Sequence, residues 1–281
     1  MKTKLDIGII DSGAGGLSIL NEILSRRLSC NLHYISDAEK FPYGLLDESE
    51  LCSRVIDIVD ALLSRQALDA CVIACNSAST LVLPHLRQRW NIPFVGVVPA
   101  IKPAAERSVT GVVGVLATPG TVSRKYLDVL IKDFAREKTV YKFGSNLLVA
   151  LAENYILTGQ LNDSIVEDEL FKLLNQDEKM DTIVLACTHF PLVKSVIEKK
   201  IEGRSIQLLD STSAIVNRLE NLLPSLRSHK DANSPNKFSA NCTLLNTIEE
   251  KSSNYSTFLM QANQNIEIYI ASDHLCLPES K

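Results

Sequence analysis

Two stretches of this chain follow the same pattern and decide the fold. The first is Val72-Ile73-Ala74-Cys75-Asn76-Ser77, and the second, about 112 residues further on, is Val184-Leu185-Ala186-Cys187-Thr188-His189. Each is an apolar run that leads into Ala-Cys and then into polar residues that can open a helix. Because an offset of this size is far above the period of a repeat array, the pattern predicts two related lobes.

A second pair of stretches repeats at nearly the same offset. Ile7-Gly8-Ile9-Ile10-Asp11-Ser12-Gly13 is similar to Val113-Gly114-Val115-Leu116-Ala117-Thr118-Pro119-Gly120, about 106 residues later. Each is an apolar strand that runs into a small hydroxyl residue and a glycine turn. Two matches at similar offsets favour a duplication, with the second lobe beginning near Pro99.

Outward from these stretches, short apolar runs alternate with longer amphipathic ones, which predicts an α/β fold with mostly parallel sheets flanked by helices. The predicted strands are Leu5–Ile10, Asn31–Ser36, Ala70–Ala74, Phe94–Val98, Gly111–Leu116, Lys138–Tyr141, Asp181–Ala186 and Ser205–Leu209. The predicted helices are Gly16–Ser29, Glu48–Ser64, Ala78–Trp90, Thr121–Ala135, Leu147–Leu157, Ile165–Asn175, Leu192–Lys200 and Ser213–Leu223. We expect two pseudo-symmetric lobes with the active site in the crevice between them.

The predicted first lobe contains residues 1–98 and a returning C-terminal segment, 208–281, and the second lobe contains residues 99–207. The polar run from His229 to Lys237 predicts a loop, and Ile266–Ile270 a last strand that packs back on a lobe. The tail shows no residues that suggest chemistry.

The composition is typical of a globular protein. The chain has 281 residues, 46% of them hydrophobic and 22% charged, and no apolar stretch approaches the ~18 residues of a membrane span. Its 29 Lys and Arg against 33 Asp and Glu give a net charge of -4, without the clustered positive charge that a nucleic acid needs. We expect a cytoplasmic protein with a small-molecule partner, and neither a nucleic acid nor a membrane as partner.

Cysteine usage points to a reducing compartment. Seven cysteines lie at positions 30, 52, 71, 75, 187, 242 and 276, and none forms a C-x-x-C pair. An odd number without such a pair favours reduced thiols over a disulfide framework or a structural zinc site. We expect no metal ion, because Cys187 and His189 alone are too few ligands.

We favour a chemical role for Cys75 and Cys187. Residues just past the carboxyl end of a strand in an open α/β sheet face the ligand crevice, and a helix that begins there favours the thiolate. Two thiols on opposed lobes could take a proton from one face of a small molecule and return one to the other face, as stereoinversion requires. Free cysteines are also common small core residues, which is the interpretation for Cys30, Cys52, Cys71, Cys242 and Cys276.

The segment Asp11-Ser12-Gly13-Ala14-Gly15-Gly16-Leu17-Ser18 follows the first strand. Its small residues would let the backbone approach a ligand, and the N–H groups of the next helix could bind an anion. The alternative is a tight strand-to-helix turn without a ligand. The spacing matches neither the dinucleotide nor the nucleotide triphosphate motif. Further on, His189 could tune the Cys187 thiol or contact the substrate, or it could be structural.

Four motifs together resemble the glutamate racemases, which are cofactor-independent enzymes of the aspartate/glutamate racemase superfamily. They are Asp11-Ser12-Gly13, Pro42-Tyr43-Gly44, Ala74-Cys75-Asn76-Ser77-Ala78-Ser79 and Cys187-Thr188-His189-Phe190-Pro191, and the likeness runs from about residue 5 to about residue 227. The resemblance implies interconversion of L- and D-glutamate without a cofactor, which supplies D-glutamate for bacterial peptidoglycan.

The resemblance also implies roles for individual residues. Cys75 and Cys187 would donate and accept the proton, with Asp11 supporting the first thiol and His189 the second. The implied substrate contacts are Asp11, Ser12, Tyr43, Gly44, Asn76, Ser77, Thr188 and His189, together with Thr118, Thr121 and Glu153.

The chain departs from the family pattern at two places. Ser77 stands where the family usually has Thr, which keeps the hydroxyl group and loses a methyl group. Before Glu153, the chain reads Phe143-Gly144-Ser145-Asn146 where a Cys-Pro pair is usual. This difference affects the local backbone near Glu153.

Two alternatives stay open at the level of sequence. The same thiol pair could racemise aspartate or another small amino acid, because the sequence does not measure the length of a pocket. A non-catalytic, two-lobed small-ligand binding protein with structural cysteines would also fit the pattern. We further expect a homodimer, since closed dimers are common among soluble enzymes.

Overall fold

The computed structural model describes residues 4–227, 239–247, 252–264, 266–275 and 277. The chain divides into two compact units, the first from 1–97 and 212–281 and the second from 98–211. The predicted loop from His229 to Lys237, and Cys276, lie outside the described residues.

The strands within the described residues are β1 (Leu5–Asp11), β2 (Cys30–Ser36), β3 (Ala70–Ile73), β4 (Phe94–Gly96), β5 (Val112–Ala117), β6 (Thr139–Gly144), β7 (Thr182–Leu185), β8 (Gln207–Leu209), β9 (Ser239–Asn246) and β10 (Glu267–His274). The α-helices there are α1 (Leu17–Ser25), α2 (Glu48–Arg65), α3 (Asn76–Arg89), α4 (Ile101–Arg107), α5 (Pro119–Val122), α6 (Lys125–Phe134), α7 (Asn146–Thr158), α8 (Asp163–Leu174), α9 (Lys194–Lys200), α10 (Thr212–Leu222) and α11 (Ser252–Ala262). Short 3₁₀ helices occur at Ala38–Lys40, Tyr43–Leu45, Phe190–Val193 and Pro224–Arg227.

Each unit is built on one parallel sheet. The first unit has a six-stranded sheet in the order β10-β9-β2-β1-β3-β4, and the second has a four-stranded sheet in the order β6-β5-β7-β8. All the strand pairs are parallel. The α/β fold with two parallel sheets flanked by helices is therefore confirmed.

The strand register shows the duplication directly. The order β2-β1-β3-β4 in the first unit is the same as β6-β5-β7-β8 in the second. Ile7 lies opposite Ala70 in the first sheet, and Val113 lies opposite Thr182 in the second. These pairs reproduce both offsets expected from the sequence, about 106 residues for the central strand and about 112 for its neighbour.

Helix α2 shows how the sequence builds the core of the first unit. Its N-cap, Asp47, accepts a hydrogen bond from the backbone N–H of Glu50 at 2.8 Å. One face of the helix carries the buried residues Leu51, Val55, Ile58, Val59 and Leu62. Each such side chain contributes roughly 1.5–3 kcal/mol when it leaves water. This recurring apolar face fixes α2 against the sheet.

Several element boundaries differ from the sequence-based prediction. Helix α1 ends at Ser25 instead of Ser29, because Arg27 takes a left-handed φ of 54°. The single helix predicted over Thr121–Ala135 is instead two helices, α5 and α6, because the backbone of Arg124 between them is extended. Elements α4, β9 and α11 have no counterpart among the predicted elements.

The boundaries between the units lie after Val97 and after Ser211, whereas the sequence places them after residues 98 and 207. The second difference has a physical cause. Strand β8 pairs with β7 in the second sheet, so a boundary after residue 207 would cut through a hydrogen-bonded strand.

In the part of the chain that the structure describes, no helix is both long enough and apolar enough to cross a membrane.

Candidate active site

In the first unit, Cys75 lies where the sequence places it, directly after β3 and at the N-cap of α3. The backbone N–H of Ala74 donates to the carbonyl of Ile10 at 2.7 Å, which sets Cys75 beside the carboxyl end of β1. The positive end of the α3 dipole favours a negative charge at this position. The local backbone therefore supports a thiolate at Cys75.

Asp11 is the last residue of β1 and is fully buried. Its Oδ1 accepts a hydrogen bond from the backbone N–H of Gly13 at 2.8 Å, which closes a tight turn. A Cβ atom at Gly16 would lie 2.9 Å from the Cβ of Ala74 and 2.9 Å from Cε2 of Tyr34. The glycine-rich segment is thus a packed strand-to-helix turn at Gly13 and Gly16, and the neighbouring Ser12 is buried in it.

Tyr43 joins this cluster through a buried acid. Its Oη donates to Oδ2 of Asp37 at 2.9 Å, and both residues are buried. Burial is the main cause that raises the pKa of Tyr43 well above its ordinary value, and the adjacent Asp37 carboxylate is the next. Cys75 and Asp11 add to this shift, so these side chains lie within electrostatic reach of one another. Gly44 follows in the same 3₁₀ turn and is half-buried.

The first two residues of α3, Asn76 and Ser77, are buried next to Cys75. Oδ1 of Asn76 meets no hydrogen-bond partner among the described residues. A buried polar atom without a partner costs free energy, which a bound ligand group would recover. Asn76 is thus the side chain of this cluster that most directly fits a polar ligand.

In the second unit, Cys187 occupies the matching strand position but has different surroundings. The backbone N–H of Ala186 donates to the carbonyl of Leu116 at 2.8 Å, as Ala74 does in the first unit. No α-helix begins at Cys187, and the prediction of one there is wrong. The N–H of Phe190 turns back to the carbonyl of Cys187, a 3₁₀ helix with Pro191 in its first turn follows, and α9 begins only at Lys194.

A histidine and a carboxylate stand behind Cys187. Sγ of Cys187 lies 3.9 Å from Nδ1 of His189, and Nε2 of His189 lies 2.9 Å from Oε2 of Glu153 on α7. All three residues are buried. A thiol, an imidazole and a carboxylate in a row form the usual arrangement of a reacting group, a partner that tunes it and a group that orients the partner. Thr188 is also buried, between Cys187 and His189 in the chain.

Two further hydroxyl groups lie at the carboxyl end of β5. Thr118 is the N-cap of α5, and its Oγ1 accepts from the backbone N–H of Thr121 at 3.1 Å and donates to Oγ1 of Thr121 at 3.0 Å. Both residues are buried. Because β5 and β7 are parallel neighbours, Thr118 lies at the same edge of the sheet as Cys187.

The sequence-based search missed three residues that bear on this site: Asp37, Arg54 and Thr247. Asp37 directly follows β2, so the rule that polar residues gather past the carboxyl ends of strands could have found it. Arg54 lies on α2, and Thr247 lies just past β9 in the C-terminal segment. No sequence signal marks these two, because their contact with Asp37 is made only by the fold.

Three of the other described cysteines, Cys30, Cys71 and Cys242, are free and buried. Burial raises the pKa of Cys30, Cys71 and Cys242 to about 12 in each case. Such thiols stay protonated near neutral pH. Among the residues that the structure describes, no group of three or more His, Cys, Asp and Glu side chains could hold a metal ion.

Comparison with known proteins gives consistent matches. The family described as Asp/Glu/Hydantoin racemase matches residues 20–219. A glutamate racemase of Shewanella sp. (strain MR-7) is 44% identical over 222 residues, 79% of this chain and 80% of its own. One from Vibrio parahaemolyticus is 45% identical over the same shares of the two chains.

The fold also matches solved structures. The glutamate racemase of Escherichia coli, solved in complex with L-glutamate and the activator UDP-MurNAc-ala, is 36% identical with a TM-score of 0.82 and covers 98% of this chain and 99% of its own. A glutamate racemase isoform from Bacillus anthracis is 26% identical with a TM-score of 0.74 and covers 96% and 98%.

Proposed function

Because this chain belongs to the Asp/Glu/Hydantoin racemase family, we propose that Cys75 and Cys187 are the acid and the base with which it interconverts L-glutamate and D-glutamate. The activity is that of a glutamate racemase, which is an isomerase. The two thiols are assigned to it on their chemistry and their position.

The proton transfers of this scheme balance without an outside reagent. One sulfur starts as a thiolate and removes the α-proton of glutamate, and the other starts as a thiol and delivers its proton to the opposite face of the carbanion. After one turnover the two sulfurs have exchanged protonation states. The reverse reaction starts from the exchanged form, so each sulfur serves as the base for one enantiomer.

Support comes chiefly from the matching backbone positions of Cys75 and Cys187. Each lies two residues past the last residue of a strand, and each is preceded by an alanine whose N–H donates to the central strand of its sheet. A shared function explains a cysteine at both of these equivalent positions better than chance does. The scheme requires that both sulfurs reach one α-carbon.

The buried polar groups suit the charges of glutamate. Ser12, Asn76, Ser77 and Thr188 offer hydroxyl and amide donors for the carboxylates, together with backbone N–H groups at the start of α3. Asp11 offers a carboxylate for the ammonium group. Tyr43, Gly44, Thr118 and Thr121 are further contacts that we propose on the family resemblance.

The resemblance implies that Glu153 contacts the substrate, but we propose a different role for it. Its Oε2 is hydrogen-bonded to His189, so we assign it to orienting that ring rather than to the substrate. His189 in turn supports Cys187, and Asp11 supports Cys75. The two thiols thus have separate supporting groups.

A hydrogen-exchange experiment tests the reaction and the substrate together. The purified protein is incubated in D₂O with L- and D-glutamate and, in parallel, with L- and D-aspartate, and both inversion and α-deuterium incorporation are followed. We expect both with glutamate, unchanged by added pyridoxal phosphate or chelator. Exchange with aspartate alone would change the substrate, and exchange with neither would leave a binding protein.

We also propose the wider setting. The D-glutamate product would supply peptidoglycan synthesis. The free cysteines fit a reducing, cytoplasmic compartment. We expect a homodimer, which light scattering of the purified protein would test.

A further inference from the structure

One buried carboxylate in the first unit has a complete set of hydrogen-bond donors. Oδ1 of Asp37 accepts from Nη2 of Arg54 at 2.6 Å and from Oγ1 of Thr247 at 3.0 Å. Oδ2 accepts from Nε of Arg54 at 2.8 Å and from Oη of Tyr43 at 2.9 Å. An ionised carboxylate offers about four acceptor positions, and here all of them are filled.

Such an arrangement is costly to build, which argues that it holds something in place. Asp37 is 0% exposed, and a buried charge is tolerated only when it is paired and fully hydrogen-bonded. Arg54 supplies the pairing through two parallel bonds, the geometry in which guanidinium groups bind carboxylates best. With these donors in place, the Asp37 carboxylate has one fixed orientation.

The fixed carboxylate anchors the turn that carries two of the proposed substrate contacts. A phenol has a single O–H donor, and Tyr43 uses it in the hydrogen bond to Asp37. Tyr43 begins the 3₁₀ turn Tyr43–Leu45, in which Gly44 follows it. Holding the phenol therefore holds the turn beside Cys75 and Asp11.

Thr247 brings the C-terminal segment into this network. Its backbone N–H donates to the carbonyl of Ser36 at 3.1 Å, and its Oγ1 accepts from the backbone N–H of Glu39 at 3.1 Å while donating to Asp37. One hydroxyl thus joins the end of β9 to the segment after β2. The tail, in which the sequence shows no chemistry, reaches the candidate site here.

We propose that Arg54 and Thr247 are positioning residues of the glutamate site, which act by orienting the Asp37 carboxylate to which Tyr43 is anchored. This proposal rests on the proposed function. We assign neither residue a direct part in the proton transfers. Both act through Tyr43 and the turn that follows.

The test uses Thr247→Val, which keeps the shape of the side chain and removes the hydroxyl group. In the full-length enzyme we expect kcat/KM for glutamate to fall roughly fivefold, mainly through a higher KM, because the hydrogen bond that orients the Asp37 carboxylate is lost. Thr247→Ser should restore kcat/KM to within about twofold. Thr243→Val, inside β9, is the matched control and should leave the kinetics unchanged.

A double-mutant cycle separates positioning from general stability. If Thr247 acts through Tyr43, Thr247→Val should lower kcat/KM in the wild type and have almost no further effect in Tyr43→Phe. A purely structural role would lower the melting temperature and the activity alike in both backgrounds. Arg54→Lys keeps the charge and loses the paired geometry, so it should show the same dependence on Tyr43.

The outcomes are distinguishable. An active wild type whose kcat/KM is unchanged by Thr247→Val, or falls equally in both backgrounds, would overturn the positioning role alone. A wild type that does not act on glutamate would refute the proposed function and this role with it. A loss confined to the background that has the Tyr43 hydroxyl group supports the proposal.

Discussion

The two units share a backbone plan and differ in what surrounds each thiol. Asp37 donates its N–H to the carbonyl of Asp11 at 2.8 Å, and Ser145 donates to Ala117 at 2.9 Å, so Asp11 and Ala117 hold the same place. The first unit thus has a carboxylate where the second has a methyl group. Cys187 is instead followed two residues later by His189, where the first unit has Ser77.

The duplicated strand framework therefore does not dictate which side chains surround each thiol. In each unit, the segment after the strand that corresponds to β2, which is β6 in the second unit, places a side chain near that unit's own thiol. It is Tyr43 from a 3₁₀ turn in the first unit and Glu153 from α7 in the second. In the proposed scheme, the two thiols exchange roles in every turnover, and each can be tuned by different neighbours.

The largest expected effect is the loss of either thiol. Cys75→Ala and Cys187→Ala should each lower the rate of glutamate racemisation by on the order of 10²–10⁴, the usual contribution of a general acid or base. The fold should persist, because the change in side-chain volume is small. Polarimetry gives the rate, and circular dichroism checks the fold.

Cys71→Ala is the matched control for this pair. Cys71 lies in β3, four residues before Cys75, and burial raises the pKa of its thiol to about 12. We expect this variant to remain active. If either Cys75→Ala or Cys187→Ala kept most of its activity, the assignment of two equivalent thiols would be wrong.

The next prediction concerns the neighbours that make the two thiols different. Glu153→Gln removes the charge behind His189, and Asp11→Asn removes the charge near Cys75. Each should lower kcat/KM about 10- to 100-fold, the range for a hydrogen bond to a charged group. Because enantiomers have equal free energies, kcat/KM must fall equally in both directions, so the rate alone cannot tell the two thiols apart.

The primary isotope effect on α-deuterated glutamate can tell them apart. Glu153→Gln should raise the isotope effect for the enantiomer whose proton Cys187 removes, since that step becomes slower. Asp11→Asn should raise it for the other enantiomer. The same enantiomer responding in both variants would show that the two sides of the site are not supported separately.

The strand framework was accessible from sequence because its signals are local. Apolar runs with short spacing predict the strands, and the paired positions of Cys75 and Cys187 predict the duplication, as the register confirms. The contacts that define the site are not local. Thr247 lies 210 residues from Asp37 and Glu153 lies 36 residues from His189, so only the fold brings them together.

The missing helix at Cys187 shows a different kind of failure. Polar residues after a strand end can open an α-helix, as at Asn76, or a 3₁₀ turn, as at Phe190, and residue type does not separate the two cases. Pro191 fits the first turn of either helix type. The choice is made by packing, and residue-by-residue patterns do not contain that information.

A smaller effect tests the shared backbone plan itself. Gly8 and Gly114 take the same position in β1 and β5, and a Cβ atom there would lie 2.8 Å from Cδ1 of Leu68 and 2.6 Å from Sδ of Met180. Gly8→Ala and Gly114→Ala should each destabilise the protein by about 1–3 kcal/mol through overpacking. Thermal unfolding checks this, and a neutral effect at one glycine would show that the two positions are not packed alike.

The smallest effect concerns Asp181, which directly precedes β7 and whose carboxylate holds the turn before β5. Its carboxylate accepts hydrogen bonds from Oγ of Ser108 at 2.6 Å and from the backbone N–H groups of Val109 and Thr110 at 2.8 Å each. Burial raises the pKa of this carboxyl, and the hydrogen bonds from Ser108 and its neighbours outweigh burial and lower the pKa to about 2. The ionised form therefore stabilises the fold above the ordinary pKa of about 3.8, and the stabilisation is lost as the pH falls from there through 2.

Asp181→Asn should accordingly cost about 1 kcal/mol near neutral pH, a small value because the group is partly exposed. The difference in melting temperature from the wild type should stay constant above pH 5 and narrow below pH 4. Asp128→Asn, which breaks the exposed ion pair of Asp128 with Lys142, is the control and should show little difference at any pH. A difference in melting temperature that widened as the pH fell would contradict the lowered pKa. It would also contradict the role of the Asp181 carboxylate in holding the turn before β5.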